Sequence, residues 1–64
     1  MTYAQLEKQV EQNLLYIRNE LADSPISARD HLNRGIGFVQ AIGNMYDLNV
    51  IELVEKMEKE MPKI

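Results

Sequence analysis

The chain has 64 residues, of which 45% are hydrophobic and 27% charged, and its formal net charge is −3. A chain of this length forms one compact domain at most, which excludes an enzyme with an interdomain cleft. It contains no cysteine, so disulfides and thiolate zinc sites are excluded as well. We therefore predict a single helical domain over residues 1–64, the helices being indicated by the periodicity described below.

A domain this small is marginally stable by itself. By surface scaling, a chain of this mass buries about 6,500 Å² on folding, of which about 3,900 Å² is apolar and stabilises the fold by about 100 kcal/mol. Ordering the residues at about 1.5 kcal/mol each opposes folding by nearly the same amount. The composition therefore favours self-association, and we expect a homo-oligomer, most simply a dimer.

The first predicted helix covers residues 3–22. Its apolar residues recur at spacings of three and four residues, which is the period of an α-helix. These residues are Tyr3, Leu6, Val10, Leu14, Ile17 and Leu21. Thr2 and Gln5 have the spacing of a capping box, so the helix should begin at the start of the chain.

The second predicted helix covers residues 25–46. Pro25 disfavours helical geometry at Ser24, which should end the first helix. Two restarts are open: either Ser24 is the N-cap with Pro25 at the first helical position, or Ser27 is the N-cap.

A broad apolar arc on the second helix supplies most of the candidate interface. On a helical wheel this arc spans about 180°, which indicates contact with more than one neighbour. Gly35 and Gly43 lie on the arc, where the missing side chains allow close approach of another helix. Leu15 and Tyr16 lie off the apolar stripe of the first helix, which indicates a second contact surface. The candidate protein-interface residues are Leu15, Tyr16, Gly35, Val39, Gly43 and Tyr46.

The third predicted helix covers residues 49–61, with either Asp47 or Asn49 as its cap. Pro62 limits its continuation. The break near Asp47 is softer than the one at Pro25, so a two-helix hairpin with a bent second arm is the alternative. The predicted fold class is all-α, a small three-helix bundle, and oligomeric in either arrangement.

The corner between the second and third helices has approximately the spacing of a helix-turn-helix, with Gly43 as its small residue and Asp47 where glycine is usual. A recognition helix must present donors and cations to the nucleic acid. Here the third helix is mainly acidic, so nucleic acid is not expected as a partner. Its charged residues are Glu52, Glu55, Lys56, Glu58, Lys59 and Glu60. The sequence predicts two ion pairs along this helix, Glu52 with Lys56 and Glu55 with Lys59.

No motif indicates catalysis, a cofactor or a metal. The hydroxyl of Ser27 and the imidazole of His31 are one turn apart, but a helix start and a boundary position explain them better than a nucleophile and its base. No metal-ligand spacing or phosphate-binding loop is present in the sequence. No apolar run approaches the roughly 20 residues of a membrane span, and a signal peptide is not indicated. We expect a cytoplasmic protein without membrane contact.

The leading functional prediction is a non-enzymatic protein-interaction module that self-associates through its apolar helix faces. The alternative is a small regulatory protein, either a dimeric helix-turn-helix-like DNA binder or an acidic inhibitor that mimics nucleic acid. Residues 48–55 resemble the second helix of small hairpin proteins that inhibit sporulation kinases. This resemblance covers eight residues and implies no site residue in the present chain.

Overall fold

The computed structural model describes residues 1–63, and within them the chain forms three α-helices and no strand. The helices are α1 (Tyr3–Asp23), α2 (Pro25–Met45) and α3 (Ile51–Lys59). The predicted all-α fold with three helices is confirmed. The alternative hairpin with a bent second arm is wrong, because residues 46–50 are non-helical and separate α2 from α3.

Local side-chain caps determine where the two long helices begin. The N–H of Thr2 donates to Oε1 of Gln5 at 2.9 Å and the N–H of Gln5 donates to Oγ1 of Thr2 at 3.2 Å, so the predicted capping box is present. Ser24 alone connects α1 to α2, and its Oγ accepts from the N–H of Ser27 at 3.4 Å. Pro25 follows at a position where an N–H has no helical partner. Of the two predicted restarts, the one with Ser24 as the N-cap is correct.

The end of α2 is a Schellman motif. The N–H of Leu48 donates to the carbonyl of Gly43 at 2.8 Å, and Asp47 between them has a φ of 54°. This left-handed conformation is the one that usually selects glycine after a helix, and aspartate is among the few other residues that tolerate it. Asp47 therefore terminates α2 and does not cap α3.

The third helix is shorter than the predicted range of 49–61. It begins at Ile51, where Oδ1 of Asn49 accepts from the first helical N–H at 3.2 Å. At its other end the N–H of Glu60 donates to the carbonyl of Met57 at 3.1 Å, a three-residue spacing that tightens the last turn. The helix consequently has nine residues.

The core lies where the three helices meet. It is formed by Leu6, Val10, Leu14, Ile17, Ala28, Leu32, Val39, Leu53 and Met57, each no more than 2% exposed. The fold is nevertheless elongated. Its radius of gyration is 11.6 Å, against about 10.7 Å for a compact domain of this length. Its accessible surface is 4514 Å², against about 4,200 Å² for a typical monomer of this mass.

Part of the predicted apolar arc on α2 is left uncovered. Phe38 is 53% exposed, Met45 is 71% exposed and Tyr46 is 46% exposed. Only α1 and the nine-residue α3 pack against α2, and they cover the centre of the arc but not its edge. The helix α2 therefore packs against two neighbours, as its broad arc predicted, and keeps one apolar edge exposed.

Candidate functional site

The residues predicted to form the interface divide into buried and exposed positions. Val39 is 2% exposed and Gly43 is buried, so both lie in the chain's own core and offer no surface to a partner. Tyr46 is exposed where α2 ends, and Gly35 is half-buried. Leu15 and Tyr16 are 60% and 61% exposed.

Leu15 and Tyr16 do not form one patch. Leu15 lies on the side of α1 that faces α3, next to Arg18 and Lys56. Tyr16 lies on the side that faces α2, where its ring centroid is 5.7 Å from that of His31 and the two ring planes are inclined at 55°. The two adjacent residues therefore belong to different surfaces.

Two exposed aromatic side chains line a depression between α1 and α2, which we call the Tyr16–Phe38 depression. Its volume is about 360 Å³. It is lined by Asn13, Tyr16, His31, Arg34, Gly35 and Phe38. Both aromatic side chains are more than half exposed, and Gly35 lines the depression with them. The sequence prediction included Tyr16 and Gly35 but not Phe38. The sequence feature that could have indicated Phe38 is its position at the edge of the apolar arc.

Gly35 lets α3 approach closely beneath this depression. A Cβ atom at position 35 would lie 2.9 Å from Cε of Met57 and 3.8 Å from Oδ1 of Asn13. A cavity of about 80 Å³ adjoins it and is lined in part by Val39 and Phe38. The depression is therefore continuous with an imperfectly filled part of the core.

An apolar ridge continues from the depression along α2. Phe38, Ile42 and Met45 are spaced so that they share one side of the helix, and the outer two are more than half exposed. On the α1 side the neighbouring residues are Gln9 and Asn13, which carry no charge. On this side of Phe38, a partner helix would therefore contact neutral polar side chains.

Charged groups of both signs lie at one end of the depression. Nη2 of Arg34 is 3.1 Å from Oδ2 of Asp30, and these side chains are 76% and 59% exposed. Nδ1 of His31 is 2.5 Å from Oε2 of Glu20, which holds the imidazole against Tyr16. The edge of the depression thus presents a cation and carboxylates to any partner.

The opposite side of α1 is joined to α3 by two ion pairs. Nη2 of Arg18 lies 2.5 Å from Oε1 of Glu60, and Nζ of Lys56 lies 3.3 Å from Oε1 of Glu11. The hydrogen bond from Arg18 lowers the pKa of the Glu60 carboxyl, an effect that its slight burial opposes. The same pairing raises the pKa of Arg18.

We expect the Arg18–Glu60 pair to make stability fall in acid. Because the folded-state pKa of Glu60 is depressed, its contribution is present above the unfolded value of about 4.3 and is lost as the pH falls through the folded value. Glu60→Gln should therefore make the drop in melting temperature between about pH 5 and about pH 3 shallower, with a small effect because the pair is exposed. Circular dichroism melts across this range measure it. Glu55→Gln is the matched control, and an unchanged slope in Glu60→Gln would contradict the assignment.

A second surface, which we call the α2–α3 groove, lies on the far side of α3. Its volume is about 480 Å³. It is lined by Gln40, Asn44, Val50, Ile51, Val54, Glu55 and Glu58. Ile51 is 62% exposed within it. No basic residue of the described chain lines this groove.

The ion pairs predicted along α3 are not formed within the described chain. Lys56 reaches across to Glu11 on α1 and not to Glu52. Glu55 has no basic nitrogen within 4.0 Å in residues 1–63, so its predicted pairing with Lys59 is wrong. Lys56 pairs with Glu11 because the packing of α1 against α3 brings that carboxylate within reach.

Ser27 and His31 have separate hydrogen-bond partners in the structure. Oγ of Ser27 is 3.2 Å from Oγ of Ser24, so this hydroxyl is engaged at the helix start and not with His31. Residues 1–63 contain no group of three or more histidine, cysteine, aspartate or glutamate side chains placed to hold a metal ion. None of the helices in that part of the chain combines the length and the apolar character needed to cross a bilayer.

The corner between α2 and α3 has two features of a helix-turn-helix. Asp47 has the left-handed conformation, and Gly43 packs tightly against Val50. The exposed side of α3 carries Glu52, Glu55 and Glu58, and these carboxylates would face the phosphates of DNA. Like charges in that position oppose the binding of DNA.

Comparison with known proteins finds no match to this chain among protein-family models, curated proteins or solved structures.

Proposed function

We propose that this chain is a non-enzymatic, cytoplasmic protein-interaction module that forms a homodimer through the Tyr16–Phe38 depression. The observation that carries the proposal is the pair of aromatic side chains, 61% and 53% exposed, that line the depression together with Gly35. Aromatic residues supply the largest contact area per side chain at protein interfaces, and they contribute most when they insert into a pocket. The depression offers both an aromatic ring to insert and a recess to receive one.

The charges around the depression favour a second copy of the chain as the occupant. A twofold interface brings the same surface together twice, so a surface of one charge sign would repel itself. This surface carries Arg34 beside Asp30, and a rotation by 180° can place Arg34 opposite the partner's Asp30. The apolar ridge of Phe38, Ile42 and Met45 would then lie along the partner without burying a charge.

The energetics of the single chain support the same proposal. The fold exposes about 300 Å² more surface than a compact monomer of its mass, and Phe38 and Met45 are among the side chains left uncovered. A dimer would remove part of this apolar surface from water and stabilise the folded state by mass action. The contact surface is small, so we expect a dissociation constant in the micromolar range.

Sedimentation equilibrium tests this proposal. The wild-type chain should pass from 7.4 kDa to twice that mass as its concentration rises from about 5 µM to about 500 µM. Phe38→Glu should remain a monomer throughout, because it places a carboxylate in the apolar centre of the interface. Leu15→Glu is the matched control, since Leu15 is 60% exposed on the other side of α1, and it should dimerise like the wild type.

Two outcomes would overturn the proposal. One is a wild-type chain that remains at 7.4 kDa up to the highest concentration. The other is a dimer that Leu15→Glu dissociates and Phe38→Glu does not. Circular dichroism spectra of both variants establish that the helices persist, so that a loss of mass is assigned to the interface and not to unfolding.

A further inference from the structure

We propose that the α2–α3 groove binds a basic amphipathic helix of another protein. The floor of the groove is apolar and exposed: Ile51 is 62% exposed and is flanked by Val50 and Val54. A groove between two helices is a common seat for a third helix, whose apolar residues at every third or fourth position contact the floor. The nine residues of α3 span about 14 Å, which matches two to three turns of such a partner.

The charge of the α2–α3 groove indicates that its partner is basic. Glu55 and Glu58 line the groove, no basic side chain in the described chain does, and neither carboxylate has a basic nitrogen within 4.0 Å in residues 1–63. Of the two lysines near them in sequence, Lys56 pairs with Glu11 on α1 and Lys59 does not line the groove. A partner that brings lysine or arginine beside its apolar stripe would supply the missing counter-charges.

The same charges distinguish this groove from the Tyr16–Phe38 depression. The depression carries both signs at its edge, which suits a second copy of the chain. The groove carries carboxylates only, so two copies meeting there would repel each other. Gln40 and Asn44 on the opposite wall are one helical turn apart and provide neutral hydrogen-bonding groups at the rim. The two surfaces therefore fit different occupants, and this inference does not depend on the dimer.

A synthetic peptide tests the inference directly. The probe is a helical peptide of about 12 residues with leucines along one face and lysines beside them, labelled with a fluorophore and followed by anisotropy. It should bind the Phe38→Glu chain, which is expected to be monomeric, with a dissociation constant on the order of 50 µM at low salt. Binding should weaken about fivefold when the salt concentration is raised from about 20 mM to about 200 mM.

Variants locate the site. Glu55→Gln combined with Glu58→Gln should weaken binding about tenfold, and Ile51→Ser should weaken it about fivefold. Leu15→Ser is the matched control for Ile51→Ser, because it also removes an exposed aliphatic side chain but lies on the opposite side of α3. A second peptide with glutamate in place of lysine should not bind.

Three results would overturn the inference: no binding of the basic peptide, equal binding of the acidic peptide, or binding that Ile51→Ser leaves unchanged and Leu15→Ser abolishes. A fourth result would also test the dimer proposal. If Ile51→Ser dissociates the wild-type dimer while Phe38→Glu does not, the groove is the self-association surface and both proposals are wrong. If the dimer is absent but the peptide binds at Ile51, only the dimer proposal fails.

Discussion

Gly43→Leu is expected to destabilise the fold by about 2–4 kcal/mol and to release α3 from α2. A Cβ atom at this position would lie 2.9 Å and 3.0 Å from the two methyl groups of Val50 and 3.2 Å from the carbonyl oxygen of Leu48. Val50 is branched at Cβ and the carbonyl belongs to the backbone, so neither can move aside as the end of a flexible side chain would. The clash also falls on the residue whose carbonyl accepts the N–H of Leu48 and closes the end of α2.

The loss expected for Gly43→Leu is large relative to the total free energy of unfolding. A domain of this length has a free energy of unfolding of only about 3–10 kcal/mol, so the variant should lose much of its stability. A nine-residue helix is too short to persist alone in water, so α3 should melt when its packing is lost. Urea unfolding followed by circular dichroism measures both the midpoint and the loss of helical signal.

Gly37→Leu is the matched control for Gly43→Leu. Nothing lies within 4 Å of a Cβ atom at position 37, which is on the exposed side of α2. Leucine favours the helix over glycine by about 0.8 kcal/mol, so this variant should be slightly more stable than the wild type. Equal urea midpoints for the two variants would contradict this prediction. They would show that the turn around Val50 can rearrange to accept a side chain at position 43 without loss of stability.

Leu32→Ala is expected to lower the free energy of unfolding by about 3–4 kcal/mol. Leu32 is 0% exposed and lies in the part of α2 that packs into the core. Removing three carbon atoms there leaves a void, and the small core has few other side chains that can move to fill it. In so small a domain this loss should leave a substantial fraction of the chain unfolded at 37 °C.

Leu15→Ala removes the same atoms from a side chain that is 60% exposed, and it should change stability by less than about 0.5 kcal/mol. Both leucine variants are compared by thermal melts at about 5 µM, where self-association contributes little. A similar loss in Leu15→Ala and Leu32→Ala would contradict the assignment of the core.

The start of α1 and the break at Pro25 could be predicted from the residues alone, because each is decided by atoms a few residues apart, whereas Ser24 and Ser27 both stayed open as the N-cap of α2. Thr2 and Gln5 cap one another, and Ser24 with Pro25 ends one helix and begins the next. The apolar stripe of α1 was equally readable, since its period reports which side of the helix faces inward. The end of α2 was less certain, because Asp47 could have served as a cap for the following helix.

The candidate site was only partly predictable. Tyr16 was marked by its position off the core stripe and Gly35 by its missing side chain, and both line the depression. Val39 was predicted at the interface but is buried in the core, whereas Phe38 was not among the predicted interface residues and is 53% exposed. A helical wheel gives the direction of each side chain but not how far the neighbouring helices extend around it.

The sequence by itself determined the helical class, the start of α1, the break at Pro25 and the inward stripe of α1, because these follow from local hydrogen bonds and periodicity. Only the tertiary structure decided which edge of α2 stays uncovered, that Leu15 and Tyr16 belong to different surfaces, and that Lys56 pairs with Glu11. Those outcomes depend on the distances between helices, which are set when side chains far apart in sequence pack together.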